Sequence, residues 1–478
     1  MKTRYKVFIV LAAVVGLLGA AGFAALVILS MDEPPPDVAD LDVHRLDVVD
    51  DENGYTYLRE ATKVLWWPRY DSGVALLADA GLPDEPLSDK DLAENEKAEL
   101  LDRIAEGEAW DDALVDEVLA HNAGTFALIE KALACPHFQV PPVLSLDAPV
   151  PEIFDWISLA KLQAVRAWAH FKRGRERQAF DEALSVVRMG YVIQGAKGVL
   201  IHYLVGDSVK GWGIGAMRRM LPTADLKPGQ LKGLAKALLA YDAEGEALVE
   251  TFRAEFQLCA ATLQALLDRK LTKEEVIGEQ ISIGERLPEE RFGGFVLKPN
   301  QTRRFFAEAF RSATKSASKP YSERQTIKPA WLQKKGVARF ILSGGNLTGK
   351  MLCGILLPGE DGAIGRKSQA KTETCVTRVL LAMKAFKVEK GRLPETLDEL
   401  VPEYLDVVPL DDFDGKPLRY SAEKKVIYSV GKDLKDDGGM TKEEQKTWWI
   451  KEHPDWNEEE NGKPGVWGMP DPSFPIEF

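Results

Sequence analysis

The sequence predicts a mainly α protein in three parts: an N-terminal transmembrane helix, an α-helical bundle or short α-solenoid, and a small α+β domain at the C-terminus. Three observations carry this expectation. Residues 7–30 are an unbroken apolar run, a long stretch of helical periodicity follows, and beyond residue 365 the pattern changes to one long helix and two short alternating segments. A chain of 478 residues exceeds what one core usually organises, so several domains are expected. Its 45% hydrophobic and 28% charged content is that of a folded protein. The net charge of -13 argues against a nucleic-acid binder, because a phosphate backbone rewards clustered Lys and Arg.

The first element is the apolar run. Lys2, Arg4 and Lys6 precede "VFIVLAAVVGLLGAAGFAALVILS". As a helix this run is roughly 36 Å long, enough to cross a hydrocarbon core of about 30 Å. The charge bias places residues 1–6 in the cytoplasm and the rest of the chain outside, as expected of a single-pass protein of the inner membrane. A cleaved signal peptide is the competing reading, but its apolar stretch runs only about 7 to 15 residues. Residues 31–50, with Pro34, Pro35 and Pro36 among acidic residues, then read as a stiff, solvated linker.

Residues 51–355 read as the helical domain. In "DWISLAKLQAVRAWAHFKRGRERQAFDEALSVVRMG" two helical stripes flank Gly174, which predicts a helical hairpin. It looks like a single tetratricopeptide-type unit, without a second copy at that period. Residues 225–270 carry the longest helical signal, with Leu234, Leu238, Leu248, Phe252, Cys259 and Leu263 on one stripe. Residues 298–339 hold eleven Lys or Arg against two Glu, either a patch for anionic lipid headgroups or cell-wall polymer, or a solvated face balancing acidic surface elsewhere.

Pro and Gly in "LLPGEDGAIG", residues 356–365, predict a linker. Residues 366–440 then form the α+β domain: an amphipathic helix with Val376, Val379, Met383 and Phe386 inward, stopped at Gly391, followed by strands in "KPLRYS" and "KVIYSV". Residues 441–478 are an acidic, Trp- and Pro-rich tail whose aromatics are expected to fold back on a sheet too small to bury itself.

The order "GRLPETLDELVPEYL", "VPLDDFDGKPLRY", "VIYSVGKDLKDDGG" after a long helix resembles the C-terminal domain of the major pseudopilin family of type II secretion systems. The resemblance covers about residues 364–439 and implies a long helix packed on an antiparallel sheet, with an acidic loop that binds calcium. It assigns Asp433, Asp436 and Asp437 to that metal, with Ser429 a further candidate. The chain departs from the family in three ways. Its membrane run holds no acidic residue, more than three hundred residues separate that run from the pilin-like helix, and Asp412 stands where the family has a proline. A borrowed module is expected, without processing or fibre assembly.

Taken without the resemblance, the loop is a near miss for an EF-hand, since Lys435 occupies a ligand position; it reads either as a metal loop or as a turn in which Asp and Gly supply left-handed backbone. No nucleophile elbow, phosphate loop, HExxH or CxxC occurs. Cys135, Cys259, Cys353 and Cys375 are expected as free thiols, with one or two disulfides the alternative. The sequence therefore points to a membrane-anchored extracytoplasmic binding or scaffold protein, with envelope or secretion-system proteins as partners. The alternative is an envelope enzyme of hydrolase type, with a site in the helical domain built from carboxylates that no motif groups.

Overall fold

The computed structural model describes residues 31–68, 89–146, 148, 153–242, 244–271, 297–324, 346–357, 360–454 and 465–478. The expected anchor at 7–30, residues 1–6 before it, Trp456 and the basic stretch after Arg324 lie outside them. Among the described residues no helix is long and apolar enough to cross a membrane.

Thirteen α-helices and one three-stranded antiparallel sheet make up the regular structure of the described residues. The helices are α1 (Gly54–Val64), α2 (Asp89–Ala105), α3 (Asp112–His121), α4 (Ala123–Ala134), α5 (Ile153–Lys172), α6 (Glu176–Gln194) and α7 (Leu200–Met220). They continue with α8 (Pro228–Leu239), α9 (Glu244–Leu267), α10 (Pro299–Ala317), α11 (Leu347–Leu356), α12 (Glu360–Lys390) and α13 (Lys442–Glu452). The sheet has the order β1 (Arg419–Ser421), β2 (Val426–Tyr428), β3 (Ser473–Pro475).

The hairpin expected around Gly174 is α5 and α6. Gly174 takes φ +72°, a left-handed conformation that only glycine adopts without strain. Helix α7 then lies against α6, and their close approach requires Gly190: a Cβ there would collide with the Lys210 amide nitrogen and the Gly206 carbonyl oxygen. The helical signal over 225–270 is two helices, not one. Helix α8 ends at Leu239, the chain turns at Tyr241, and α9 sets off to pack on α10 through Phe252, Phe256 and Phe310. An apolar stripe continues through such a turn because both helices bury the same kind of face.

The linker expected at 31–50 is a strap fastened to the helices, not a solvated spacer. Its Leu41 and Val43 are buried. Asp32 accepts hydrogen bonds from the Asn300 and Gln301 amides at the start of α10 (2.8 and 3.2 Å), where the positive end of the helix dipole favours a carboxylate. Glu33 pairs with Arg304 at 2.6 Å, Asp40 with Arg311 at 2.6 Å, and Arg45 donates to the Val140 and Lys197 carbonyls. Acidic residues that read as solvating are consumed by arginines distant in sequence.

The segment 356–365 is not a plain linker either, because α12 begins within it at Glu360. Nor is α12 amphipathic. Every residue from Thr374 to Phe386 is buried, Arg378 and Lys384 included. The Arg378 guanidinium donates to the Ala235 carbonyl, and Lys384 satisfies the Leu221 and Pro222 carbonyls, so neither brings an unmet donor into the core. One apolar cluster joins α6, α7 and α8 to Val376, Val379, Met383 and Phe386 of α12 and to Ile427 and Phe474 of the sheet. The C-terminal unit therefore shares its core with the helical part.

The tail contributes more than cover. It supplies β3, in register Ile427↔Phe474 beside Tyr420↔Ile427. Trp467 packs on Phe413 and Phe474, and its indole N–H donates to Glu373 at 2.6 Å. The four cysteines are free, and Cys259, Cys353 and Cys375 are buried.

Candidate functional site

The functional corner is built where "DDFDG", the acidic loop and the tail meet at one end of the sheet. Its hub is Asp411, which is fully buried. Oδ1 accepts from the Phe413 amide (3.0 Å) and the Ser429 hydroxyl (2.9 Å), and Oδ2 from the Val430 amide (3.0 Å) and, more loosely, Arg419 (3.4 Å). Burial pushes this carboxyl above the usual aspartate range, opposed by the donors around it. Asp412 accepts from the buried Lys367 ammonium (2.7 Å) and the Ser368 hydroxyl (2.6 Å), pinning the turn to α12. Its carbonyl and that of Phe413 accept the Tyr321 and Ser322 amides beyond α10. One five-residue turn thus ties α10, α12 and β2 together.

The three predicted metal ligands do not form a cage. The Asp433 carboxylate accepts its own loop's Lys435 amide at 3.1 Å and is exposed. Asp436 is held by Arg419 Nε (2.8 Å), the Tyr428 hydroxyl (3.2 Å) and the Gly438 amide (3.2 Å). Asp437 is exposed and offers its amide to Asp471 (2.9 Å). Ser429 is buried, donates to Asp411 and accepts the Gly431 amide (3.1 Å). Among the described residues no three His, Cys, Asp or Glu side chains converge as a preformed metal site.

Asp471 is the residue that sequence reasoning missed. It comes from "MPDPSFP" in the tail, is fully buried, and its Oδ2 accepts the Asp437 and Gly439 amides at 2.9 and 2.8 Å. Its Oδ1 is buried with no hydrogen-bond partner. Burial raises this carboxyl above the ordinary range against the pull of the two amides, and Asp436 and Asp437 push it further up. The second of the two glycines is explained by the same contact. Gly439 sits at φ +69° against Tyr428 and Val426, so the loop lies over the outer face of the sheet where a side chain would not fit. A Pro-flanked Asp is the only trace of Asp471 in the sequence, and its partner amides lie more than thirty residues earlier.

The donors at this corner are all oxygens, which suits a hard cation such as calcium. Calcium fits one part of the corner. The orphaned Oδ1 of Asp471 beside Asp437 is a buried anionic oxygen lacking a counter-charge, whereas Asp433 points to its own turn and Asp436 already holds a cation. Any calcium would be held by Asp471, with Asp437 as its nearest carboxylate in the loop, and it would neutralise a carboxyl that burial and neighbouring aspartates push up.

Two cavities in the helical part test the enzyme alternative. One of about 380 Å³ brings Glu130, Arg166, His170 and Arg175 together, and another of about 230 Å³ lies between α7 and α12. Their carboxylates face arginines: Glu130 and Glu182 bind Arg166, Asp207 binds Arg366 at 2.9 Å, and Glu373 binds Arg218 at 2.8 Å. His170 is held toward its neutral form by burial and then by nearby arginines. In comparison with known proteins, no protein-family model, curated protein or solved structure matches the chain.

Proposed function

We propose that the chain is a membrane-anchored, extracytoplasmic binding or scaffold protein of a bacterial envelope, whose C-terminal unit is a pseudopilin-like module steadied by calcium. The observation that carries this reading is the burial of α12. A helix that assembles into a fibre must offer a face to other subunits, but α12 is enclosed by α7, α8 and the sheet within one core. A module mounted in this way presents its loops, not its helix, and serves as a rigid fixture on the helical body. Paired arginines and carboxylates in the cavities favour a structural body over a catalytic one. The partners proposed are the membrane, through residues 7–30, and envelope proteins of a secretion or pilus-like apparatus. Nucleic acid is not among them.

The test is in-cell crosslinking of the full chain in its native envelope, followed by affinity purification and identification of the crosslinked chains. Crosslinks to secretion or pilus components through residues 409–440 are expected. If none is recovered while the chain sits in the membrane fraction, the assignment to such an apparatus falls.

A further inference from the structure

The strap fixes how close the body stands to the bilayer. Ser30 ends the apolar run, and Asp32 is already bonded to the first amides of α10. Two residues reach at most about 7 Å, whereas a polar headgroup layer is about 5 to 8 Å deep on each side of the hydrocarbon. With residues 7–30 as the anchor, on which this inference rests, the start of α10 stands within the headgroups. No spacer is left to hold it away.

At that place a groove of about 490 Å³ opens between the strap, α9 and α10, with Asn300 and Arg303 at its rim. Ala261, Leu263 and Leu267 of α9 line it as an apolar strip interrupted by Gln257 and Gln264, and Leu267 is 41% exposed. Two cations, Arg45 and Arg303, and one anion, Asp42, border it. The Arg45 guanidinium meets only backbone carbonyls, at 2.6 Å each, and its Nε is buried with no acceptor. Arg303 is exposed. An apolar strip among polar side chains, bordered by two cations and one anion, suits an amphiphile with an anionic head.

We propose that this groove is a phospholipid site, in which a lipid of the anchoring bilayer lays an acyl segment along Ala261, Leu263 and Leu267 and sets its phosphate against Arg303, with Arg45 adding positive charge behind it. A guanidinium offers phosphate paired donors in a fixed plane. The site makes α9 and α10 part of the membrane attachment, so the body is oriented on the bilayer and not merely tethered to it.

The experiment reconstitutes the full chain in bilayer nanodiscs containing a phospholipid with a photoactivatable acyl chain, irradiates them, and maps adducts by peptide mass spectrometry. Adducts on peptides spanning 257–267 are expected in addition to those on 7–30. Arg303→Glu is expected to lower the 257–267 adducts by about tenfold or more, since it replaces a surface cation that attracts anionic lipid by an anion that repels it. Ala261→Trp, which fills the groove, is expected to abolish them while leaving the 7–30 adducts unchanged. Arg303 is on the surface, so its variant folds even if the filled groove does not.

Adducts confined to 7–30 would overturn the lipid site and leave the anchor standing. Adducts absent from 7–30 as well would overturn both. Labelling of 257–267 that neither substitution changes would also overturn the site.

Discussion

Removing the Asp411 carboxylate should loosen the C-terminal corner by far more than any surface change. In Asp411→Ala the Phe413 and Val430 amides lose their acceptor at 3.0 Å each, and the Ser429 hydroxyl loses its own at 2.9 Å. All three sit in the interior. Each buried donor left without a partner costs about 1 to 3 kcal/mol. The two amides alone set a loss of about 4 kcal/mol, while Arg419 keeps Asp414 and Asp436 as partners. The loss is local, so hydrogen–deuterium exchange resolved by peptide is the suitable assay. At 1.4 kcal/mol per decade, amides in 411–431 should exchange two to three powers of ten faster, roughly, with the α5–α6 hairpin unchanged. Asp414→Ala serves as the comparison. Its carboxylate holds Arg419 and the Lys416 amide nearer the surface, so a smaller effect is expected. An acceleration below about tenfold in Asp411→Ala would refute the view of Asp411 as the hub, because even one orphaned amide at about 2 kcal/mol predicts more.

Asp471 makes a prediction with a change of sign. Its folded-state carboxyl is raised, so its ionisation opposes the fold at neutral pH, and stability from this group is gained as pH falls through that raised value toward the ordinary aspartate range. Without calcium, Asp471→Asn should therefore slow exchange at Asp437–Gly439. With millimolar calcium the wild-type chain should become the more protected of the two, and equal response of both chains would dismiss the metal. The strap has the opposite pH dependence. Arg304 and Arg311 hold Glu33 and Asp40 below their usual values, so their attachment is present at neutral pH and lost as pH falls through those lowered values. Limited digestion with an acid protease should find residues 31–50 resistant near pH 5 and progressively cut as the pH falls below the ordinary carboxylate range; resistance throughout would mean that the ion pairs do not hold the strap. Gly174→Ala meets nothing within 4 Å and should cost only the left-handed backbone, about 1 to 2 kcal/mol. Gly190→Ala must push α7 away from α6 and should lower the melting temperature by clearly more than Gly174→Ala does.

Periodicity alone determined the mainly helical class, the hairpin about Gly174, the long helix that ends at Gly391 and the two strands of the C-terminal unit, since local spacing of apolar residues fixes which backbone can bury them. Partners distant in the chain lie beyond such reading. Residues 31–50 looked like a solvated spacer because nothing within the segment shows that Arg304 and Arg311 await its carboxylates. Helix α12 looked amphipathic because Lys384 and Arg378 are charged; only the carbonyls of Leu221, Pro222 and Ala235, brought alongside by α7 and α8, make their burial tolerable. The acidic loop was legible as a loop, and its aspartates as candidate ligands, but their directions were not. Tertiary structure turned Asp436 to Arg419 and Asp433 to its own backbone. It also carried Asp471 in from the tail on β3, leaving one buried carboxylate oxygen without a partner where the sequence had offered three exposed ones. The composition of the loop set its charge, and long-range packing decided which of those charges lacks an answer.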